Sequence, residues 1–103
     1  MDHRLKKAQQ FSYIYKKGKR ASTQLFTLFS VPSKFSNYKI GYSISKKVGK
    51  ANKRNRLKRR LREIVRTENL PKDYFNYVLL ARPGAAELEF EQLKKEIIYL
   101  FKK

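Results

Sequence analysis

From Lys50 to Arg66 the chain reads KANKRNRLKRRLREIVR, and two patterns are superimposed on it. Leu57, Leu61, Ile64 and Val65 recur at spacings of three and four, which at helical geometry collects them into a stripe about 100° wide. Nearly everything else is basic: from Lys53 to Arg62 seven of the ten residues are Lys or Arg. The spacing predicts a helix with an apolar keel. Arg54, Lys58 and Arg62 lie four apart and share a face, and like charges at that spacing destabilise an isolated helix. Packing of the keel must therefore hold the helix, and a bound polyanion would relieve the repulsion. Arginine offers a planar fork that grips phosphate in a bidentate way or stacks on a base, and Asn55 can hydrogen-bond a sugar or base edge. A merely solvated face would interleave Glu with Lys, and a nuclear-localisation run needs no packed face.

Working outward, YVLLA from Tyr77 to Ala81 is short and continuously apolar, as in a strand covered on both faces, and Arg82, Pro83 and Gly84 end it. The tail from Ala85 to Lys103 predicts an amphipathic helix with Leu93, Ile97, Leu100 and Phe101 towards the sheet, and with Glu87, Glu89 and Glu91 near its positive end. Upstream, Tyr38 to Ser45 alternates Tyr38, Ile40, Tyr42 and Ile44 with Lys39, Gly41, Ser43 and Ser45, which predicts a strand. It follows a turn-like PSKFSN segment and is expected to run antiparallel to a strand over Thr23 to Val31. In that earlier strand Phe26 and Leu28 share one face, and Leu25, Thr27 and Phe29 the other. A first helix from about Lys6 to Lys17 places Ala8, Phe11, Ile14 and Tyr15 at helical spacing, with Gly18 as its C-terminal cap. The order αββαβα, with room for one further short strand, is an α+β sandwich. No linker, repeat or low-complexity tract divides it, so residues 1–103 are read as one domain.

The chain has 103 residues, 26 of them Lys or Arg against 8 Asp or Glu, for a formal charge of +18. Residues 1–66 hold 20 basic residues against only Asp2 and Glu63, whereas residues 67–103 hold six of each sign. So dense a field of one sign disfavours compactness and calls for a polyanionic partner, nucleic acid ahead of an anionic membrane. A hydrophobic fraction of 41%, with seven Phe and seven Tyr, suffices for a core despite a mean hydropathy of −0.73. There is no cysteine, which removes disulfides, thiolate zinc sites and cysteine nucleophiles. No apolar run approaches the roughly 20 residues of a membrane span, and MDHRLKKAQQ is followed by no signal-peptide core. The expected setting is the cytoplasm.

Phe11 and Tyr15, four apart on the first helix, and Phe29 on the first strand are candidates to line a groove in which single-stranded bases stack at about 1–3 kcal/mol each. The rival reading is an ordinary aromatic core. Catalytic candidates are scarce. His3 is the only histidine and sits in an expected frayed N-terminus, while general acid–base work needs fixed geometry. A metal nuclease needs convergent carboxylates, yet five of the six glutamates belong to residues 67–103 and Glu63 stands alone in the basic helix. Ser43 and Ser45 have no histidine on an ordered segment to complete a triad. These residues describe a binding protein.

Taken as a whole, the chain resembles the protein component of bacterial ribonuclease P. The centre of the likeness is Val48 to Arg62, VGKANKRNRLKRRLR, in which Val48, Ala51, Arg54, Asn55, Arg56, Leu57, Lys58, Arg59, Leu61 and Arg62 match that family's signature. The preceding IGYSISKKVG is similar, as is the pattern of Phe11, Tyr15 and Gly18, whereas Thr67 to Lys103 would not identify the family unaided. The resemblance implies helices around a central mixed sheet, with a left-handed βαβ crossover through the basic helix, against the usual hand. It implies a large catalytic RNA as partner, with Mg2+ bound mainly by that RNA performing the hydrolysis that frees the 5′ leader of precursor tRNA. The protein is then a non-catalytic subunit, one monomer per RNA.

Matching position by position, the resemblance implies that Phe11, Tyr15 and Phe29 floor a groove for the single-stranded leader, with Arg54, Asn55, Lys58 and Arg62 as its basic side. Lys46, Lys47, Arg56 and Arg59 are implied to contact the catalytic RNA. No catalytic or metal-ligating residue is assigned to the polypeptide. The alternatives are a small basic ribosomal or general RNA-binding protein and an autonomous metal-dependent nuclease.

Overall fold

The computed structural model describes residues 3–103, so Asp2 lies outside it. In chain order the elements are α1 (Ala8–Lys17), β1 (Lys19–Ser22), β2 (Phe26–Pro32), β3 (Lys39–Ile44), α2 (Ala51–Thr67), β4 (Phe75–Ala81) and α3 (Phe90–Lys102). The apolar run in β4 places that strand at the centre: Tyr77, Leu79 and Ala81 enter one apolar cluster, and Val78 enters another on the opposite face. β4 pairs antiparallel with β2 from Phe26↔Ala81 to Pro32↔Phe75, and parallel with β3 from Lys39↔Asn76 to Ile44↔Ala81. The sheet order is β1-β2-β4-β3. The parallel pair β3 and β4 is joined through α2, a βαβ unit built around the basic helix.

Several expectations need correction. β3 runs antiparallel to β2 as expected but does not pair with it, because β4, apolar on both faces, takes the place between them. β2 begins at Phe26 and not Thr23: Thr23 closes a turn, its N–H donating to Phe26 O (2.8 Å) and its Oγ1 accepting from Phe26 N (3.2 Å), which pairs the extra strand β1 with β2. The C-terminal helix is interrupted, since Ala85–Glu87 forms a separate 3-10 turn, Leu88 is extended, and α3 starts after Glu89, whose N–H donates to Gln92 Oε1 (3.1 Å). Finally, His3 is tethered to the free edge of β3. The Ile40 N–H donates to His3 O (2.7 Å), Leu5 N–H donates to Ile40 O (3.3 Å), and the imidazole stacks on Tyr38 at 3.8 Å. An edge strand offers unpaired backbone groups, and this arm occupies them.

α1 begins at Ala8, two residues later than expected, and ends at Gly18 in an extended conformation (φ −75°, ψ 151°). Glycine is needed there for space, because a Cβ would stand 2.5 Å from Ile14 O and 3.2 Å from Ser30 O.

The keel of α2 is buried as its spacing predicts, Leu57, Leu61, Ile64 and Val65 all being at most 2% exposed, and it packs with Leu93, Ile97 and Leu100 of α3 on one face of the sheet. Burying four such side chains contributes roughly 6–12 kcal/mol. The like-charged pairs at four-residue spacing on α2 cost about 0.2–0.5 kcal/mol each. Packing therefore prevails over repulsion. α1 covers part of the other face, where Leu5, Ile14, Phe29, Val31 and Val78 form the smaller cluster.

Candidate nucleic-acid interface

Strand alternation lays the α1 side of the sheet out in cross-strand rows. One row runs Arg20, Phe29, Val78, Gly41 across β1, β2, β4 and β3; the next runs Ser22, Thr27, Leu80, Ser43. α1 packs over the first row. Tyr15 meets Phe29 edge-on at 4.9 Å, and the Arg20 guanidinium stands 6.0 Å over the same ring. Phe11 lies against Gly41, where any Cβ would collide with its ring. In the second row Ser22 is exposed, Leu80 and Ser43 are half-buried, and buried Thr27 accepts a hydrogen bond from Arg82 (2.6 Å) and shares another with Ser22 (3.1 Å).

Of the three expected floor aromatics, the structure brings all three to this face but does not expose them equally. Tyr15 is 37% exposed, Phe11 half-buried, and Phe29 only 7% exposed. Phe29 thus supports the floor from below and presents little ring of its own. Leu25, read as sharing that face, packs instead with the larger cluster on the far side, because it precedes β2 and escapes the strand alternation.

Because β3 and β4 are parallel and end in register at Ile44↔Ala81, the segment from Ser45 and the residue Arg82 leave the sheet at the same end. Ser45 Oγ accepts from Lys47 N–H (3.1 Å), which shapes a 3-10 turn that leaves Lys46 and Lys47 exposed. Gly49 then leads into α2, and Arg54 Nε donates to Gly49 O (3.1 Å), fixing that side chain beside the helix start. Arg54 and Lys58 are half-buried along one border of the keel. Arg62 continues the same border, with its guanidinium 5.9 Å over the Tyr42 ring of β3. Asn55, Arg56 and Arg59 are exposed, the two arginines turned away from the keel. Arg82 was not singled out from the sequence. Its only signal there is a cation directly after a buried strand.

Burial raises the Tyr42 hydroxyl well above the ordinary tyrosine pKa, with the nearby Arg62 charge pulling the other way. The phenol stays neutral beside the basic border. Three carboxylates are held in ion pairs: Glu63 by Arg66 (2.6 Å), Glu87 by Lys53 (3.1 Å) and Glu68 by Lys94 (3.4 Å). Among the described residues no three His, Cys, Asp or Glu converge as metal ligands, so these residues do not fit a polypeptide cage for Mg2+. No helix among them is long and apolar enough to cross a membrane.

A family model described as Ribonuclease P matches residues 1–103. The Ribonuclease P protein component of Bacillus cereus is 36% identical to this chain over 103 residues, covering 98% of the chain and 90% of the relative. That of Bacillus anthracis is also 36% identical and is covered over 87% of its length. Among solved structures, the Staphylococcus aureus RNase P protein superposes with a TM-score of 0.91 at 28% identity, over 99% of this chain and 94% of the other. The Thermotoga maritima RNase P protein gives 0.88 at 27% identity, over 96% and 97%. With a match that spans the whole chain and a four-stranded mixed sheet with three helices shared with these structures, the chain belongs to the ribonuclease P protein family.

Proposed function

We propose that this chain is the protein subunit of ribonuclease P, binding the catalytic RNA and the 5′ leader of precursor tRNA and thereby assisting removal of the leader. The observation that carries this reading is the half-covered sheet face, with Phe11 and Tyr15 at one border and a row of hydrogen-bonding side chains beside them. Four strands at about 4.8 Å spacing make a strip roughly 14 Å across, a width suited to one strand of RNA. Arg54, Asn55, Lys58 and Arg62 take the leader's phosphates and sugars, joined by Arg82. Tyr15 and Phe11 stack on its bases, with Phe29 beneath them. Lys46, Lys47, Arg56 and Arg59, on the turn and the outer side of α2, hold the catalytic RNA. Mg2+ belongs to the RNA, which carries the chemistry in this assignment. Residues 1–103 act as one RNA-binding domain, one copy per RNA, in the cytoplasm. Mature tRNA lacks a leader and cannot make these contacts, so the holoenzyme favours substrate over product.

The test is cleavage of a precursor tRNA at low magnesium by a bacterial catalytic RNA transcript, with the protein, without it, and by the protein alone. Stimulation that requires both components, and that falls as the leader is shortened, is the expected result. Inactivity in every mixture would return the chain to general RNA binding, and cutting by the protein alone would make it a nuclease.

A further inference from the structure

The face of the sheet opposite Phe11 and Tyr15 has an unfilled corner. The register sends Lys19, Ser30 and Tyr77 to the α3 side in one row and Ala21, Leu28 and Leu79 in the next. α3 ends over this corner, where Leu100 and Phe101 are its apolar residues, and a cavity of about 460 Å³ remains beyond them. That volume falls within the ~300–1,000 Å³ usual for small-molecule sites. Its wall is aromatic: the Tyr77 ring stands 5.1 Å from Phe101 and 6.2 Å from Phe75. Its rim is cationic, with Lys19 and Arg20 from β1, Lys72 from the loop before β4 and Lys103 from the end of α3, and no Asp or Glu side chain among the described residues lines it. The Tyr77 hydroxyl accepts from the Lys72 backbone N–H (2.9 Å), which leaves its own proton to donate at the wall. Burial raises the pKa of this phenol, so it remains a donor at neutral pH.

We infer that this cavity is a second nucleotide site, in which a base lies against Phe75 and Phe101, backed by the buried Tyr77 ring, and its phosphate is held by Lys19, Lys72 and Lys103. An apolar ligand would leave three lysines without use, and inorganic phosphate would leave the aromatic wall without use; a nucleotide uses both. The site lies across the sheet from Phe11 and Tyr15, and Arg20 stands at the boundary, lining the cavity and reaching over the Phe29 ring. The nucleotide is either free in solution or one unit of a single-stranded RNA, and the chemistry of the site is common to both.

The experiment is NMR of the full chain with labelled aromatic rings, titrated separately with adenosine and uridine monophosphate, inorganic phosphate and a short single-stranded oligouridylate. Saturable shifts at Phe75 and Phe101 are expected with a nucleotide, and the exposed double substitution Lys19→Glu/Lys72→Glu should weaken them at least about tenfold. Saturation by a monophosphate identifies a free nucleotide as ligand, and saturation by the oligonucleotide alone identifies an RNA segment. The inference is overturned if neither shifts those rings, if inorganic phosphate reproduces the shifts, or if the double substitution leaves the affinity unchanged. The rings of Phe11 and Tyr15 report the leader groove in the same spectra, so failure at one face is distinguishable from failure at the other.

Discussion

At the scale of single residues, Gly41 makes room for the proposed groove's Phe11, whose ring occupies the space a Cβ would need. Gly41→Ala is expected to lower stability by about 1–3 kcal/mol, as over-packing does, and to lift Phe11 from its seat; thermal unfolding measures the first effect and the Phe11 ring shift the second. Phe11→Ala should weaken binding of precursor tRNA roughly 5- to 150-fold, equivalent to about 1–3 kcal/mol for one stacked base. Mature tRNA should bind almost as before, and an equal loss for both RNAs would refute the groove. A third residue reports on pH. The Tyr42 hydroxyl is raised by burial in the folded state, so its contribution to stability is complete below the unfolded value of about 10 and is lost as pH climbs from there towards the folded value. Tyr42→Phe should flatten that alkaline loss in denaturant titrations between about pH 9 and 11.5. An unchanged slope would show that the phenol ionises freely in the folded protein.

At the scale of elements, α2 divides its cations between two surfaces. Arg54, Lys58 and Arg62 flank the keel beside β3, whereas Arg56 and Arg59 turn to solvent. Arg59→Gln is therefore expected to weaken binding to the catalytic RNA and to reduce the slope of log affinity against log salt by about 0.7–0.9, the signature of one phosphate contact. A slope equal to that of the parent protein would remove Arg59 from the interface. α2 was also the most legible element, since Leu57, Leu61, Ile64 and Val65 repeat at helical spacing and all are buried. The order of strands was not legible. β2 and β3 alternate in a way that suits pairing, but the competing partner, β4, comes after the helix, and pairing across such a distance leaves no local trace. The break before α3 was hidden for a related reason: Leu88 and Glu89 continue the helical pattern in composition, and only tertiary burial of Ala85 shows where the chain turns. Arg82 and the tether of His3 on β3 likewise depend on contacts between distant segments. The aromatic set of the candidate site was readable from spacing, but the covering of Phe29 by Tyr15 and Arg20 was not.

For the whole molecule, the question is how a chain with a formal charge of +18 stays folded. Its Cα radius of gyration of 12.8 Å is that of a folded domain, for which about 13 Å is expected at this length. Cohesion comes from two apolar clusters flanking one sheet, while the positive charge is concentrated in residues 1–66, around α1, the edge of the sheet and α2. Those cations repel one another in the free protein and are neutralised in a complex, so any polyanion that binds only the folded state must stabilise it. A single-stranded RNA present at about 100 times its dissociation constant should add about 2.7 kcal/mol, which for a domain of this size raises Tm by roughly 10–20 °C. Sodium chloride at matched ionic strength screens the charges without binding a site and should raise Tm much less. The exposed pair Arg56→Gln/Arg59→Gln separates the two effects. Removing two repelling charges should leave the free protein at least as stable at low salt, while the shift produced by catalytic RNA shrinks. If the pair instead lowered Tm in the free protein and left the RNA-induced shift intact, those arginines would be structural and the partner surface would lie elsewhere on the chain.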